Sequence, residues 1–322
     1  MKASNIIKKI IITIAIPLVL FVILWILAPQ QISMNSLASV CTQAILPAVL
    51  AWGVAFNLKV GNWDFSVGAN VLAASIIGGN LAQNWGLGIV GMLVLCVLVA
   101  VACSAITGLI FRLLKIPSII ASIGIMLIIE SVCGVVFDGA GVLMQPEYVQ
   151  LGDTGVKIII GIVIFVLAYY LYNFRRFGYN VRAVGNGPSV ARLNGIDVYK
   201  VKTLAFIVCG LFCGLYAFMN LGSSGVTRTV SSMGTMATCF DAMMCVFVGM
   251  SLGNFANLII GTYIGSVTMQ IVKLALMVLG FPSMYNQVII ALFVLIFMAI
   301  SSRSDVFAKI KLRRQMKAEL RS

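Results

Sequence analysis

Apolar runs of about 20 residues, the length that crosses a hydrocarbon core, follow one another along nearly the whole of this chain. Short polar breaks separate them. This pattern predicts an all-α polytopic membrane protein. The strands of a membrane β-barrel would instead alternate polar and apolar residues. Composition agrees: hydrophobic residues are 61% of the chain, charged residues 10%, and mean hydropathy is +1.09.

About ten transmembrane helices are predicted, at least one of them broken. A basic head, Met1–Lys9, leads into an apolar stretch ending at Leu27. It is long for the apolar part of a signal peptide, and Leu27-Ala28-Pro29 is a poor cleavage site, so it reads as an uncleaved first span. The second span runs about Ser36–Phe56, with Pro47 as a kink that buried neighbours tolerate. Asn57–Gly68 is then a break at membrane depth. A third span reaches about Ala82, and a fourth runs Gly86–Phe111. Arg112, Lys115 and Pro117 mark a tight turn. The fifth, Ser118–Phe137, carries Glu130. An acidic loop, Asp138–Gly155, precedes the sixth, which ends near Phe174. The seventh, Thr203–Leu221, is rich in small residues that permit close helix contact. The eighth, about Met233–Met250, holds Asp241. After a break at Ser251–Asn254, the ninth runs to about Leu279 and holds Lys273; a tenth ends near Ile300. Residues 1–302 are expected to form one transmembrane domain, and 303–322 a basic cytoplasmic tail. Gly61-Asn62-Trp63 and Gly253-Asn254-Phe255 echo one another, as an internal repeat of a transporter would.

The formal charge of +13 does not point to nucleic acid, because it belongs to loops. Of 22 cations, only Lys157 and Arg228 fall opposite the termini, and Lys273 falls within a span. The positive-inside rule therefore places both termini and Phe177–Lys202 in the cytoplasm of a multi-pass plasma-membrane protein. Histidine is absent, which excludes a His-based metal site or general base. The eight cysteines lie in apolar runs without a Cys-x-x-Cys pair and read as packing residues. No Gly-x-x-x-x-Gly-Lys-Ser/Thr phosphate loop occurs, and the Gly-x-Gly-x-x-Gly string at Gly86–Gly91 opens an apolar span and does not follow a strand, so it is no nucleotide fingerprint. No catalytic residue, cofactor or metal is expected. If the chain moves solute with ATP, other chains supply the ATPase and the solute capture.

Phe177–Lys202, FGYNVRAVGNGPSVARLNGIDVYKVK, is the longest polar run. Gly187 can cap a short helix there, and Pro188 fits its first position. Ser189–Asn194 can make about two turns before Gly195, the left-handed residue after the end. Val190, Leu193 and Ile196 would line one face. Two turns are too short to be stable alone. The residues leave two readings: an ordinary loop, or a helix that presses into a partner protein.

The run resembles the cytoplasmic coupling loop of ribose-type ABC importer permeases, the monosaccharide branch related to the branched-chain amino-acid permeases. Phe177, Gly178, Ala183, Gly185, Ala191, Arg192, Leu193, Gly195, Ile196, Val198 and Lys202 keep that family's pattern. NWDFSVG, Asn62–Gly68, is similar to the family's GGIDLSVG. FDAMMCVFVGMSLGN, Phe240–Asn254, keeps Asp241, Ala242, Val246, Gly249, Ser251, Leu252 and Gly253 of a third motif. The likeness runs across about residues 35 to 300. It implies a permease dimer in a bacterial inner membrane, bound to cytoplasmic ATPase subunits and an external sugar-binding protein. Pro188, Ala191, Arg192, Leu193, Gly195 and Ile196 would couple to the ATPase. Asn62, Asp64, Ser66, Gly68 and Asp241 would form the broken helix or the translocation path. The family's Gly-Gly-Ile before Asp64 has become Gly61-Asn62-Trp63, and Met250 and Asn254 replace glycines, so homodimer and heterodimer both stand open.

An Asp at bilayer depth costs roughly 2.5–3.5 kcal/mol on insertion scales, so it needs a polar partner or a wet path. Asp64 is placed to hold free backbone N–H groups at the start of the third span. Asp241 could pair with Lys273, and Glu130 lies near the outer interface. Trp52 and Trp63 could stack on a sugar face, although Trp near an interface is usually an anchor. The reading is a sugar-importer permease working by alternating access. An ion-coupled secondary transporter would need a carboxylate relay, and only three deep acids exist. A membrane enzyme would need a nucleophile or metal cluster. Pentose, hexose, polyol, nucleoside, autoinducer and amino acid all remain as solutes.

Overall fold

A computed structural model describes residues 15, 17–26, 28–30, 32–149, 152–251, 257–282, 285, 288, 289, 291–293, 295 and 296. The basic head, most of the tenth span, the 303–322 tail, and Leu252–Asn254 with its repeat lie outside the described residues.

Helix α1 is Pro17–Ile26, α2 is Met34–Gln43 and α3 is Ile45–Lys59. The second predicted span is thus two helices joined at Ala44. Pro47 explains the joint, because it has no N–H to offer the carbonyl of Gln43. After the break come α4 (Val67–Ala73), a π-helical turn (Ala74–Gly78) and α5 (Gly79–Asn84). Then follow α6 (Gly88–Leu114), α7 (Ser118–Cys133), the strand β1 (Val142–Leu143), α8 (Thr154–Asn173), α9 (Arg176–Asn186) and α10 (Pro188–Leu193). The chain continues through α11 (Val198–Ser224), β2 (Val226–Thr227), α12 (Met236–Ser251) and α13 (Leu258–Val278).

Among the described residues, five stretches are long and apolar enough to cross a membrane: Asn35–Lys59, α6, α8, α11 and α13. Pro17–Ile26, α7 and α12 are shorter apolar helices. The protein is therefore a helical multi-pass membrane protein, with one departure from all-α among the described residues. Val142 pairs antiparallel with Thr227, and Leu143 with Val226, in a two-stranded ribbon.

Helix α11 is the axis of the packing. Of its apolar window 61% is buried inside the protein, against 17% for α8, which faces outward. The close approach comes from the small residues seen in the sequence. A Cβ on Gly210 would lie 2.6 Å from Ser104 Cβ, and one on Gly214 would lie 2.5 Å from Val97 Cα, so α6 lies directly on α11. Helix α11 also begins earlier than Thr203. The Asp197 carboxylate caps it by accepting from the Lys200 N–H at 3.0 Å. All eight cysteines are free, and six are buried.

The bundle has two distinct ends. At one, the Lys59 ammonium on α3 donates to Asn186 of α9 at 3.3 Å. At the other, the acidic loop folds back on the α5–α6 joint. Gln145 N–H donates to Gln83 Oε1 at 3.0 Å, and the buried Tyr148 hydroxyl donates to the Ala82 carbonyl at 3.2 Å.

Candidate functional site

Polar regions interrupt the apolar fold. The first is the segment carried by α9 and α10. Helix α9 was hidden in the polar run, although Gly178, Val181 and Val184, its buried residues, recur at helical spacing. Gly178 packs on the end of α8, where a Cβ would come within 2.1 Å of the Tyr172 carbonyl oxygen. The Arg182 guanidinium lies 5.4 Å from the Tyr172 ring and 4.5 Å from the Tyr179 ring.

Helix α10 has the ends expected of it. Gly187 precedes Pro188, and Gly195 has φ +79°. Ile196 N–H donates to the Ala191 carbonyl and Gly195 N–H to that of Arg192, each at 3.0 Å, closing a Schellman motif. The expected apolar face is divided. Val190 is 62% exposed and Leu193 88%, whereas Ala191 is 3% exposed and belongs to the protein's own core. Ala191 is small because this chain covers it. Pro188 and Arg192 are exposed, and Ile196 is half-buried.

The second region is the break. Gly61, at φ +76°, turns the chain out of α3. Asn62 Nδ2 then donates to the Lys202 carbonyl at 3.1 Å. Trp63 and Phe65 N–H donate to the Ser118 and Ser122 hydroxyls, each at 3.0 Å. Asp64, 1% exposed, accepts three bonds: from Asn57 Nδ2 at 3.0 Å, Ser66 N–H at 3.0 Å and the Ser66 hydroxyl at 2.6 Å. A Cβ on Gly68 would fall 2.1 Å from the Thr235 carbonyl oxygen, so α4 touches the residue just before α12. Backbone freed from a helix at membrane depth is thus satisfied from inside the protein. Trp52 is also interior: 1% exposed, it donates its indole N–H to the Ile259 carbonyl at 3.0 Å, which rules out a stacking platform. Trp63 is 41% exposed and lies 5.8 Å from the Phe247 ring.

Glu130 is buried at the far end of α7. Its oxygens accept from Met233 N–H (2.9 Å), Thr235 N–H (2.9 Å) and the Thr235 hydroxyl (2.6 Å). Met233 and its neighbour Ser232 both have positive φ, at 65° and 57°, so the carboxylate holds a costly backbone in place ahead of α12.

The third region is a cavity of ≈ 340 Å³ among α2, α3, α8, α11, α12 and α13. Lys273 Nζ donates to Asp241 Oδ2 there at 2.7 Å, with the side chains 33% and 41% exposed respectively. This is the single ion pair among the described residues. Tyr216, Thr238, Gln270 and Lys157 share the lining. The pairing was legible in the sequence; the cavity was not, because its walls come from six helices. Asp241 is therefore in a different place from Asn62, Asp64, Ser66 and Gly68. No group of three or more His, Cys, Asp or Glu that could hold a metal occurs among the described residues.

Residues 36–299 match the family described as branched-chain amino acid transport system / permease component. The chain belongs to this family: it is a translocation component and not an enzyme. It is 26% identical to the ribose import permease protein RbsC of Escherichia coli strain K12, over 89% of this chain and 92% of that one. It is 23% identical to the galactose/methyl galactoside import permease protein MglC of the same strain, over 88% and 91%. With the L-arabinose ABC transporter permease protein AraH of Azospirillum brasilense the identity is 27%, over 84% and 81%. PsaBC from Streptococcus pneumoniae in complex with Fab aligns at 16% identity over 81% of this chain and 88% of that one, with a TM-score of 0.42, too low to fix the fold.

Proposed function

We propose that this chain is the membrane permease of an ABC importer for a simple sugar of the ribose, galactose or arabinose kind, in a bacterial inner membrane. Ten crossings put both termini and α9–α10 in the cytoplasm. ATPase subunits supply the energy, an external sugar-binding protein supplies the solute, and a second permease copy completes the path. The observation that carries this reading is α10 itself. It is a capped, rigid helix at the end of the bundle, presenting Val190 and Leu193 to the outside beside Arg192. Pro188, Gly195 and Ile196 fix its ends, and Ala191 seats it. ATPase closure would move this helix, and the transmembrane helices would rock about the path. Asp241 and Lys273 border that path: a carboxylate and an ammonium offer the acceptor and the donor that sugar hydroxyls require. Asn62, Asp64, Ser66 and Gly68 form the broken helix that supports it.

Uptake of labelled D-ribose, D-galactose and L-arabinose decides the matter, in cells carrying this chain with its ATPase and binding protein and lacking their own importers. ATP-dependent uptake of one or more, lost when the chain is deleted, is the expected result. Uptake of none, or uptake that follows an ion gradient without ATP, contradicts the reading.

A further inference from the structure

A groove of about 490 Å³ opens beside α10, between the α6–α7 turn, the break and the start of α11. Lys115, Arg192 and Lys202 line it with Trp63, Phe111 and Tyr199, and no carboxylate among the described residues does so. None of the three cations is in an ion pair among the described residues. The one acid nearby in sequence, Asp197, is turned to cap α11 through the Lys200 N–H. Lys202 Nζ lies 6.0 Å from the Phe111 ring centroid. Next to Lys115 in sequence, Leu113 and Leu114 are 68% and 62% exposed, and Ile119 on the groove wall is 40% exposed. Three cations without an ion pair among the described residues thus share a groove with the exposed Ile119, close in sequence to the exposed Leu113 and Leu114.

We propose that this groove holds the phosphate headgroup of an anionic phospholipid. Lys115 and Lys202 take the phosphate, Arg192 closes the rim, and the acyl chains lie along Leu113, Leu114 and Ile119. Basic pockets between transmembrane helices suit such headgroups. An acidic segment of a partner protein would use the cations but not the apolar flank. The bound lipid would tie the α6–α7 turn to the base of α10, so that the coupling segment senses the charge of its membrane. The lipid site does not rest on the sugar reading; its effect on coupling rests on the proposed role of α10.

The test is native mass spectrometry of the full-length chain with phosphatidylglycerol and phosphatidylcholine, and with inorganic phosphate alone. Lys115 has φ +53°, a conformation asparagine accepts, so Lys115→Asn removes the charge without new strain. The side chain of Lys202 is separate from its carbonyl, which still receives Asn62, so Lys202→Gln keeps that bond. The wild type should retain phosphatidylglycerol over phosphatidylcholine. Each substitution should lower that preference about five-fold, and the pair about 25-fold. Lys157→Gln, at the other end of the bundle, should not change it. Equal retention of both lipids by the wild type, an unchanged preference in the double variant, or displacement of the lipid by inorganic phosphate would overturn the proposal. So would loss of ATPase co-purification in the double variant with lipid preference intact, which would make the groove a protein-docking site. Should the double variant not fold, the wild type alone decides. Phosphatidylglycerol, not phosphatidylcholine, should raise its melting temperature, and high salt should remove the effect; equal shifts contradict it.

Discussion

Asp64 and Asp241 look alike in the sequence: each is a lone acid at membrane depth in the same chain. Their surroundings differ completely. Asp64 is 1% exposed and accepts three hydrogen bonds from residues within seven positions of it. Asp241 is 41% exposed, faces a cavity, and meets one cation from another helix. A carboxylate whose acceptors are filled by its own chain has little left for a solute. One that holds a single cation at the edge of a cavity retains free lone pairs. The number of internal donors, together with exposure, separates an acid committed to its own chain from one that is open to a cavity.

Asp64→Leu should have the largest effect on folding. It leaves the Asn57 amide, the Ser66 N–H and the Ser66 hydroxyl to find new partners, and each buried unpaired group costs about 1–3 kcal/mol. Folded yield in mild detergent, read by size-exclusion chromatography, should collapse; a normal yield would put Asp64 on the same footing as Asp241. Ser122→Ala comes next. It removes the acceptor of the Phe65 N–H and one donor to the Trp63 carbonyl, at about 1–3 kcal/mol in all. Melting temperature should fall while uptake at low temperature survives. Asp241→Leu should disturb folding least, because a pair this exposed is worth at most about 1 kcal/mol. Lys273→Met should restore whatever yield is lost. Uptake, however, should be abolished in both the single and the double variant. Full uptake in the double variant would reduce the pair to a structural contact.

The helical class, the turn near Lys115 and the capped α10 were all legible, since length, charge and the Gly and Pro positions carry them locally. The Asp241–Lys273 pair was legible because two opposite charges in adjacent spans have few other partners. What could not be read was phase and burial against distant elements. Helix α9 was missed because its buried stripe is made of Gly178, Val181 and Val184 amid cations. Ala191 was expected among the residues that couple to an ATPase, and nothing local announced that its neighbours in the fold are this chain's own core. Trp52 suggested a stacking surface for the same reason: nothing local announces that Ile259, 207 residues away, takes its indole proton. Glu130 was expected near the outer interface, and nothing local announced that its two oxygens hold Met233 and Thr235, more than 100 residues away.

The central claim is that α10 transmits force from an ATPase, and Leu193 tests it most directly. At 88% exposed it supports nothing in this chain, so Leu193→Asp should leave membrane insertion and folded yield at wild-type levels. Ala191→Glu cannot serve, since it would disrupt the core. The measurement is the amount of ATPase that co-purifies with the Leu193→Asp permease, taken together with ATP-driven sugar uptake. Loss of one or both, at normal yield, is the predicted result. Wild-type ATPase binding and wild-type uptake in Leu193→Asp would contradict it.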